Sequence, residues 1–165
     1  MVGEGRRQKE ESVSEAAMRI LRTHTVLTLA TVYRGEPHAV SLMYANEGFA
    51  LYWVSDPRSR HSLALAESSR ASVTVAGHFA DFRDIEGLQC RGAAGTVGGK
   101  AASTRGFQVL ADRYPFLQEF LSGPAKLVRR LDLAAVYRFD PEEVTLIDNA
   151  QGFGHKEAVP LPPHD

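Results

Sequence analysis

The sequence predicts a mainly β protein with helices (α+β), a small antiparallel barrel of about six or seven strands with helices plugging its ends. Three observations predict it. Segments rich in β-branched and aromatic residues follow one another with only short turn signals between them, which favours antiparallel pairing over βαβ winding. Both faces of the first such segment are apolar: Val26, Thr28, Ala30 and Val32 on one, Leu27, Leu29 and Tyr33 on the other. A sheet covered on both sides, or closed into a barrel against a second copy, wants that pattern. Helical periodicity, finally, is confined to the start of the chain, a short stretch from Arg60 and a longer one from Lys100.

The elements follow in order. Residues 1 to 11 are polar and read as a flexible tail. Ser12 and Ser14 are candidate caps for a helix whose Val13, Ala16, Ala17, Ile20 and Leu21 share a face, ending near Thr23. "TVLTLATVY" (25–33) is a strand, Arg34-Gly35-Glu36 a turn, and "PHAVSLMYA" (37–45) the returning strand. Asn46-Glu47-Gly48 turns into the strand "FALYWVS" (49–55). A short helix over about 60–67 leads to the strand "RASVTVAGH" (70–78), a polar link, and the small-residue strand "LQCRGAAGTV" (88–97). A helical region from Lys100 to Arg130 is broken at Pro115 and Gly123-Pro124. Two strands, 133–140 and 143–149, are joined by Pro141-Glu142, and "AQGFGHKEAVPLPPHD" is expected to lack regular structure. One barrel domain over 12–150 with a C-terminal tail over 151–165 results.

Bulk properties narrow the function. The 165 residues suffice for one domain with a proper core. Hydrophobic residues make up 44% and charged residues 24%, an ordinary globular balance. The net charge of -1 gives no overall field to recruit nucleic acid or an anionic membrane, so any anion site is local. The single cysteine, Cys90, excludes an internal disulfide and fits a reducing compartment. "MVGEGRRQKEE" lacks the apolar core of a signal peptide, and no run approaches the roughly 20 residues that span a bilayer. A soluble cytoplasmic protein is the expectation.

Three places carry chemistry. In "LYWVSDPRSRHSLAL" a strand ends at Ser55 and a helix begins amid Arg58, Ser59, Arg60 and His61. Exposed N–H groups at a helix start, arginine forks and serine hydroxyls suit a phosphate, although a solvated helix start with arginines paired to Asp56 or Glu67 has the same composition. In "PHAVSLMY", His38, Val40, Leu42 and Tyr44 share one face and Ser41 and Met43 the other. The strand's backbone and Ser41 could meet the polar edge of a planar heterocycle, or the segment is a plain barrel strand. Gln89 has space beside it at Gly92 and Ala93, or sits on an exposed rim. His24, His38, His61, His78, His155 and His164 lack metal-ligand spacing, and there is no nucleophile elbow, P-loop or Rossmann fingerprint.

The ordered set of strand, G-x-P-H turn, aromatic strand, basic loop and "QCRG" strand resembles the FMN-binding split-barrel superfamily typified by pyridoxamine 5'-phosphate oxidase. The ending "FDPEEVTLIDNAQGFGHK" resembles a poorly characterised bacterial subgroup of it. The resemblance implies FMN at a homodimer interface, with Ser55, Arg60 and His61 on the phosphate and Val54 beside the phosphoribityl chain. It puts Ala39, Val40 and Ser41 along the isoalloxazine and brings Gln89 to the flavin from the neighbouring strand. Two departures qualify it. Lysine is common in the family where this chain has His61, and the C-terminal arginine-and-histidine motif that grips pyridoxal phosphate has no counterpart here. The expected function is thus a flavin-dependent oxidoreductase acting on an unidentified small molecule, not a vitamin B6 oxidase. Phe153 is a candidate lid over the partner's flavin, with His155 or Lys156 meeting substrate. The alternative is a non-catalytic flavin, haem or F420 module.

Overall fold

The computed structural model describes residues 11–118 and 134–163. The tail expected before Ser12 falls, apart from Glu11, outside them, as do Gly123-Pro124 and the end of the long helical region.

The chain opens with helix α1 (Val13–Thr23), whose start is fixed by a capping box. The Glu15 N–H donates to Ser12 Oγ, while the Glu15 carboxylate accepts from the Ser12 N–H at 2.8 Å. Ala16, Ala17, Ile20 and Leu21 are buried, as the spacing predicts. Strands β1 (Val26–Tyr33) and β2 (Glu36–Met43) pair antiparallel from Val26↔Met43 to Tyr33↔Glu36. Their link is therefore the two-residue turn Arg34-Gly35, both with positive φ, and Glu36 belongs to the strand.

The third strand divides from the second in an unexpected way. Asn46 and Glu47 lie not in a turn but in a short strand, β3 (Ala45–Glu47), which pairs with β4 (Ala50–Ser55) across Gly48-Phe49. Helix α2 (Arg60–Glu67), β5 (Arg70–Ala76) and β6 (Glu86–Thr96) follow, then α3 (Lys100–Arg113), which stops short of Pro115. The polar link before β6 holds a short 3-10 turn at Phe82–Asp84.

The two C-terminal strands expected on either side of Pro141 are one strand, β7 (Ala135–Asp148), paired with the whole length of β6. Pro141 is tolerated because it stands at a β-bulge: Arg91 opposes Glu143 and Gly92 opposes Pro141, so Glu142 is the extra, unpaired residue and the ladder is interrupted beside the proline. Gly92 makes the bulge possible: a Cβ there would lie 2.1 Å from the Asp140 carbonyl oxygen. The ending is also more ordered than expected. A 3-10 turn (Asn149–Gln151) leads to β8 (Lys156–Ala158), which pairs with β7, and Val159 is buried in the main core.

The strands run in the order β2-β1-β5-β6-β7-β4-β3, with β8 attached to β7. The two ends of that order, β2 and β3, are separated in sequence by the single residue Tyr44, so the sheet curls until its ends meet. Inside lie Leu27, Leu29, Trp53, Val73, Val75, Leu88, Phe139 and the buried face of α1. A second cluster, Ala45, Tyr52, Leu110 and Tyr114, seats α3 against β3 and β4. Arg113 ties the two helices together by donating to the carbonyls of Leu21, Arg22 and His24, orphaned where α1 ends. No helix among the described residues is long and apolar enough to cross a membrane.

Candidate functional site

The start of α2 gathers the polar loop read from the sequence. Ser55 ends β4, and its Oγ lies 2.6 Å from His61 Nε2. Ser59 Oγ lies 3.1 Å from the same nitrogen and donates to Ser62 Oγ at 2.8 Å. Engaged in this way, Ser59 makes no capping bond to the first turn, in contrast to Ser12 on α1. The leading N–H groups of α2 therefore have no side-chain cap, and their partial positive charge is left uncompensated. Arg58 is neutralised by Asp56, whose carboxyl it holds down at about 2. Arg60 is exposed and, among the described residues, is the one arginine with no hydrogen bond, ion pair or ring partner.

His61 is buried, and its ring stacks with that of His38 at 6.4 Å between centroids and 7° between planes. Burial, and secondarily the His38 ring, hold its pKa below the ordinary histidine range. Both influences favour the neutral imidazole, so His61 enters the loop chiefly as a hydrogen-bonding partner rather than as the cation that the family's lysine would be.

The strand residues sort by face. Ala39 and Ser41 are exposed, whereas Val40 packs against the core and Val54, paired with Val136, is half-buried beside the α3 cluster. Register then relates Ser41 to Gln89: Ser41 opposes Thr28, Thr28 opposes Thr74, and Thr74 opposes Gln89. These four form one cross-strand row of hydrogen-bonding side chains on the outer face. The neighbouring row, Ala39, Ala30, Ser72 and Arg91, is linked in the same way.

β1 and β5 pair only over Thr28–Ala30 and Ser72–Thr74. Beyond Ala30 the two strands diverge, and a cleft of about 500 Å³ opens between them. Thr31, His38 and Ala39 line one wall, Arg70, Ser72 and Arg91 the other. Sequence reasoning singled out Ala39 as a flavin contact and His38 only as a residue of the same strand, and it missed Thr31, Arg70 and Arg91. The signal that could have found them is only the three-residue length of the β1–β5 ladder, which no local pattern encodes.

Phe153, His155 and Lys156 lie at a separate corner. Phe153 is 86% exposed and meets Phe82 edge to face at 5.9 Å. His155 Nε2 lies 2.8 Å from a Glu157 carboxylate oxygen, and Lys156 is exposed on β8. Asn149 braces this corner by donating to the Phe82 carbonyl and accepting from the Gly154 N–H. Among the described residues no group of three or more His, Cys, Asp or Glu could hold a metal ion.

Comparison with known proteins agrees with this architecture. The sequence description of one family, pyridoxamine 5'-phosphate oxidase, matches residues 13–148. The chain belongs to the pyridoxamine 5'-phosphate oxidase family. Within it, the chain is 28% identical over 114 residues to a UPF0306 protein of Klebsiella pneumoniae, 69% of each chain. Among solved structures, a heme binding protein from Mycobacterium smegmatis superposes with a TM-score of 0.72 at 19% identity. That overlap covers 92% of this chain and 59% of the mycobacterial one, so this chain spans well under two thirds of that relative. A putative pyridoxamine 5'-phosphate oxidase from Listeria innocua superposes at 0.66 with 16% identity, over 83% of this chain and 99% of the other. A FAD-binding protein from Mesorhizobium loti does so at 0.62 with 20% identity, over 81% and 91%. At these identities the superpositions speak for the split-barrel fold of the family.

Proposed function

We propose that this member of the pyridoxamine 5'-phosphate oxidase family binds FMN between two copies of the chain and is a cytoplasmic flavin-dependent oxidoreductase acting on a small molecule other than pyridoxamine phosphate. The observation that carries the reading is Arg60, unpartnered at an uncapped helix start that also presents Ser55 and Ser59. A dianionic phosphate satisfies both the guanidinium fork and the open N–H groups. The residues present fit the cofactor elsewhere too. Ala39 and Ser41 give an outer strand on which a planar ring can lie, and the hydroxyl and amide row ending at Gln89 supplies partners for its polar edge.

When bound, the flavin supplies the redox chemistry, accepting and returning a hydride. The protein's part is to hold and orient it: Arg60 and the α2 start anchor one end, and the barrel face fixes the other. Among the described residues no side chain near α2 is poised as a strong base, which a hydride transfer tolerates. Phe153, on a braced corner and almost wholly exposed, is proposed as the lid over the partner's flavin, with His155 and Lys156 beside the substrate. Where the family's motif that grips pyridoxal phosphate would fall, this chain carries "NAQGFGHK" (149–156), which argues against vitamin B6 oxidation.

The test is spectral. Purified protein should be yellow, and stripped protein should take up FMN far more tightly than riboflavin, which lacks the phosphate. Arg60→Gln should weaken FMN about tenfold to a hundredfold and leave riboflavin unchanged. A colourless protein that ignores added FMN sinks the reading. A second reading, a non-catalytic module holding flavin, F420 or haem, draws on the heme binding relative. A Soret band, selective F420 retention, or full flavin occupancy without turnover of NADH or NADPH would favour it.

A further inference from the structure

The cleft where β1 and β5 part adjoins the proposed flavin site and shares Ala39 with it, but its other wall, Arg70, Ser72 and Arg91, has no part in the flavin contacts. It is built on the row Ala39, Ala30, Ser72 and Arg91, about 7 Å along the strands from the row that ends at Gln89. A molecule lying there is one pleat away from a ring lying on Ser41, close enough for the two to touch.

The chemistry of its walls is specific. Arg70 and Arg91 line it, and their partners Glu142 and Glu143 do not. Among the described lining residues there is no carboxylate. Both ion pairs are solvent-exposed, and such pairs contribute roughly 0–1 kcal/mol, so an entering anion can take over either guanidinium. The opposite wall holds a buried polar atom with nothing to bond: Thr31 Oγ1, in a residue 6% exposed, has no partner. Buried hydroxyls are nearly always satisfied, so an orphan in a cleft wall points to a ligand that completes it. Between these polar ends the surface is apolar, from Ala30, Val32, Pro37 and Ala71.

We propose that this cleft is the substrate subsite, and that it takes a small carboxylate with a compact apolar body. Its anionic end meets Arg70 and Arg91, and a hydrogen-bonding group reaches Thr31. Two guanidinium forks on adjacent strands suit a carboxylate's paired oxygens. The assignment rests on the flavin reading for its meaning as a substrate site, but the anion preference of the cleft can be measured without flavin.

The experiment is calorimetric titration of the full chain, FMN-loaded and FMN-stripped, with benzoate and with its neutral isostere benzamide. Benzoate is expected to bind about tenfold more tightly than benzamide, and Arg91→Gln to erase that preference while leaving FMN affinity unchanged. Thr31→Val, which removes the orphan hydroxyl at constant shape, is expected to weaken 4-hydroxybenzoate, whose phenol supplies the second hydrogen-bonding group, severalfold, while leaving benzoate unchanged and Tm undiminished. Equal affinity for the two probes, or a preference that survives Arg91→Gln, overturns the proposal. So does displacement of FMN by benzoate, because the two would then share one site. Protein that takes up no FMN yet prefers benzoate in an Arg91-dependent way supports the cleft and sinks the flavin reading instead.

Discussion

His61 is where a single side chain decides how the candidate site responds to pH. Its pKa is lowered first by burial and then by the stacked His38, so near neutrality it joins Ser55 and Ser59 as an uncharged partner. A histidine depressed below its unfolded value of about 6.5 contributes stability that is intact above that pH and is lost as pH falls below it. Thermal melting should therefore slope downward on acidification from about pH 6.5, and His61→Gln should flatten that slope; an unchanged slope would refute the assignment. FMN affinity should likewise be flat through pH 7 and strengthen only below the ordinary histidine range. The basic loop was legible because Ser55, Arg60 and His61 are neighbours in sequence. The stacking partner was not, because His38 arrives from another strand. Cys90 gives a second check at this scale: it is buried, and burial pushes its thiol up to about 12. It should resist a thiol reagent at pH 8 in the folded protein and react at once in denaturant.

Elements were readable where local rules agree. Ser12 and the apolar face of α1, and the ends of α2, matched because capping and 3.6-residue periodicity are local. Pro141 misled for a complementary reason. A proline in mid-strand reads as a break, and what rescues it is a bulge set by Gly92 on another strand, 49 positions away in sequence. β3 was misread as a turn because Asn46-Glu47-Gly48 carries turn composition, although its pairing with β4 makes it strand. The bulge makes a sharp prediction. Gly92→Ala drives a methyl group into the Asp140 carbonyl, a backbone atom that no rotamer change can move aside. The variant should lose on the order of 3 kcal/mol or more, or fail to fold, as read by urea denaturation. Gly95→Ala, with open space around it, is the control and should stay within about 0.5 kcal/mol of the parent.

At the scale of the molecule, the class and curl of the sheet were legible, whereas its strand order was not, since β1 beside β5 and β4 beside β7 rest on distant pairings. The outer face retains the apolar character that suggested a covering copy. Val26 and Met43 stand opposite each other and are 44% and 49% exposed. Scattering-coupled chromatography should give about twice the monomer mass of 18.1 kDa, and Val26→Asp with Met43→Asp should shift it to the monomer value. A wild-type monomer would contradict the dimer. The closure at Tyr44 also bears on how the chain matures. β4, complete by Ser55, waits for β7, which starts at Ala135, and β6 waits for the same strand. A nascent chain released before then exposes two unpaired strand edges, so premature termination there should yield aggregates rather than a smaller working protein.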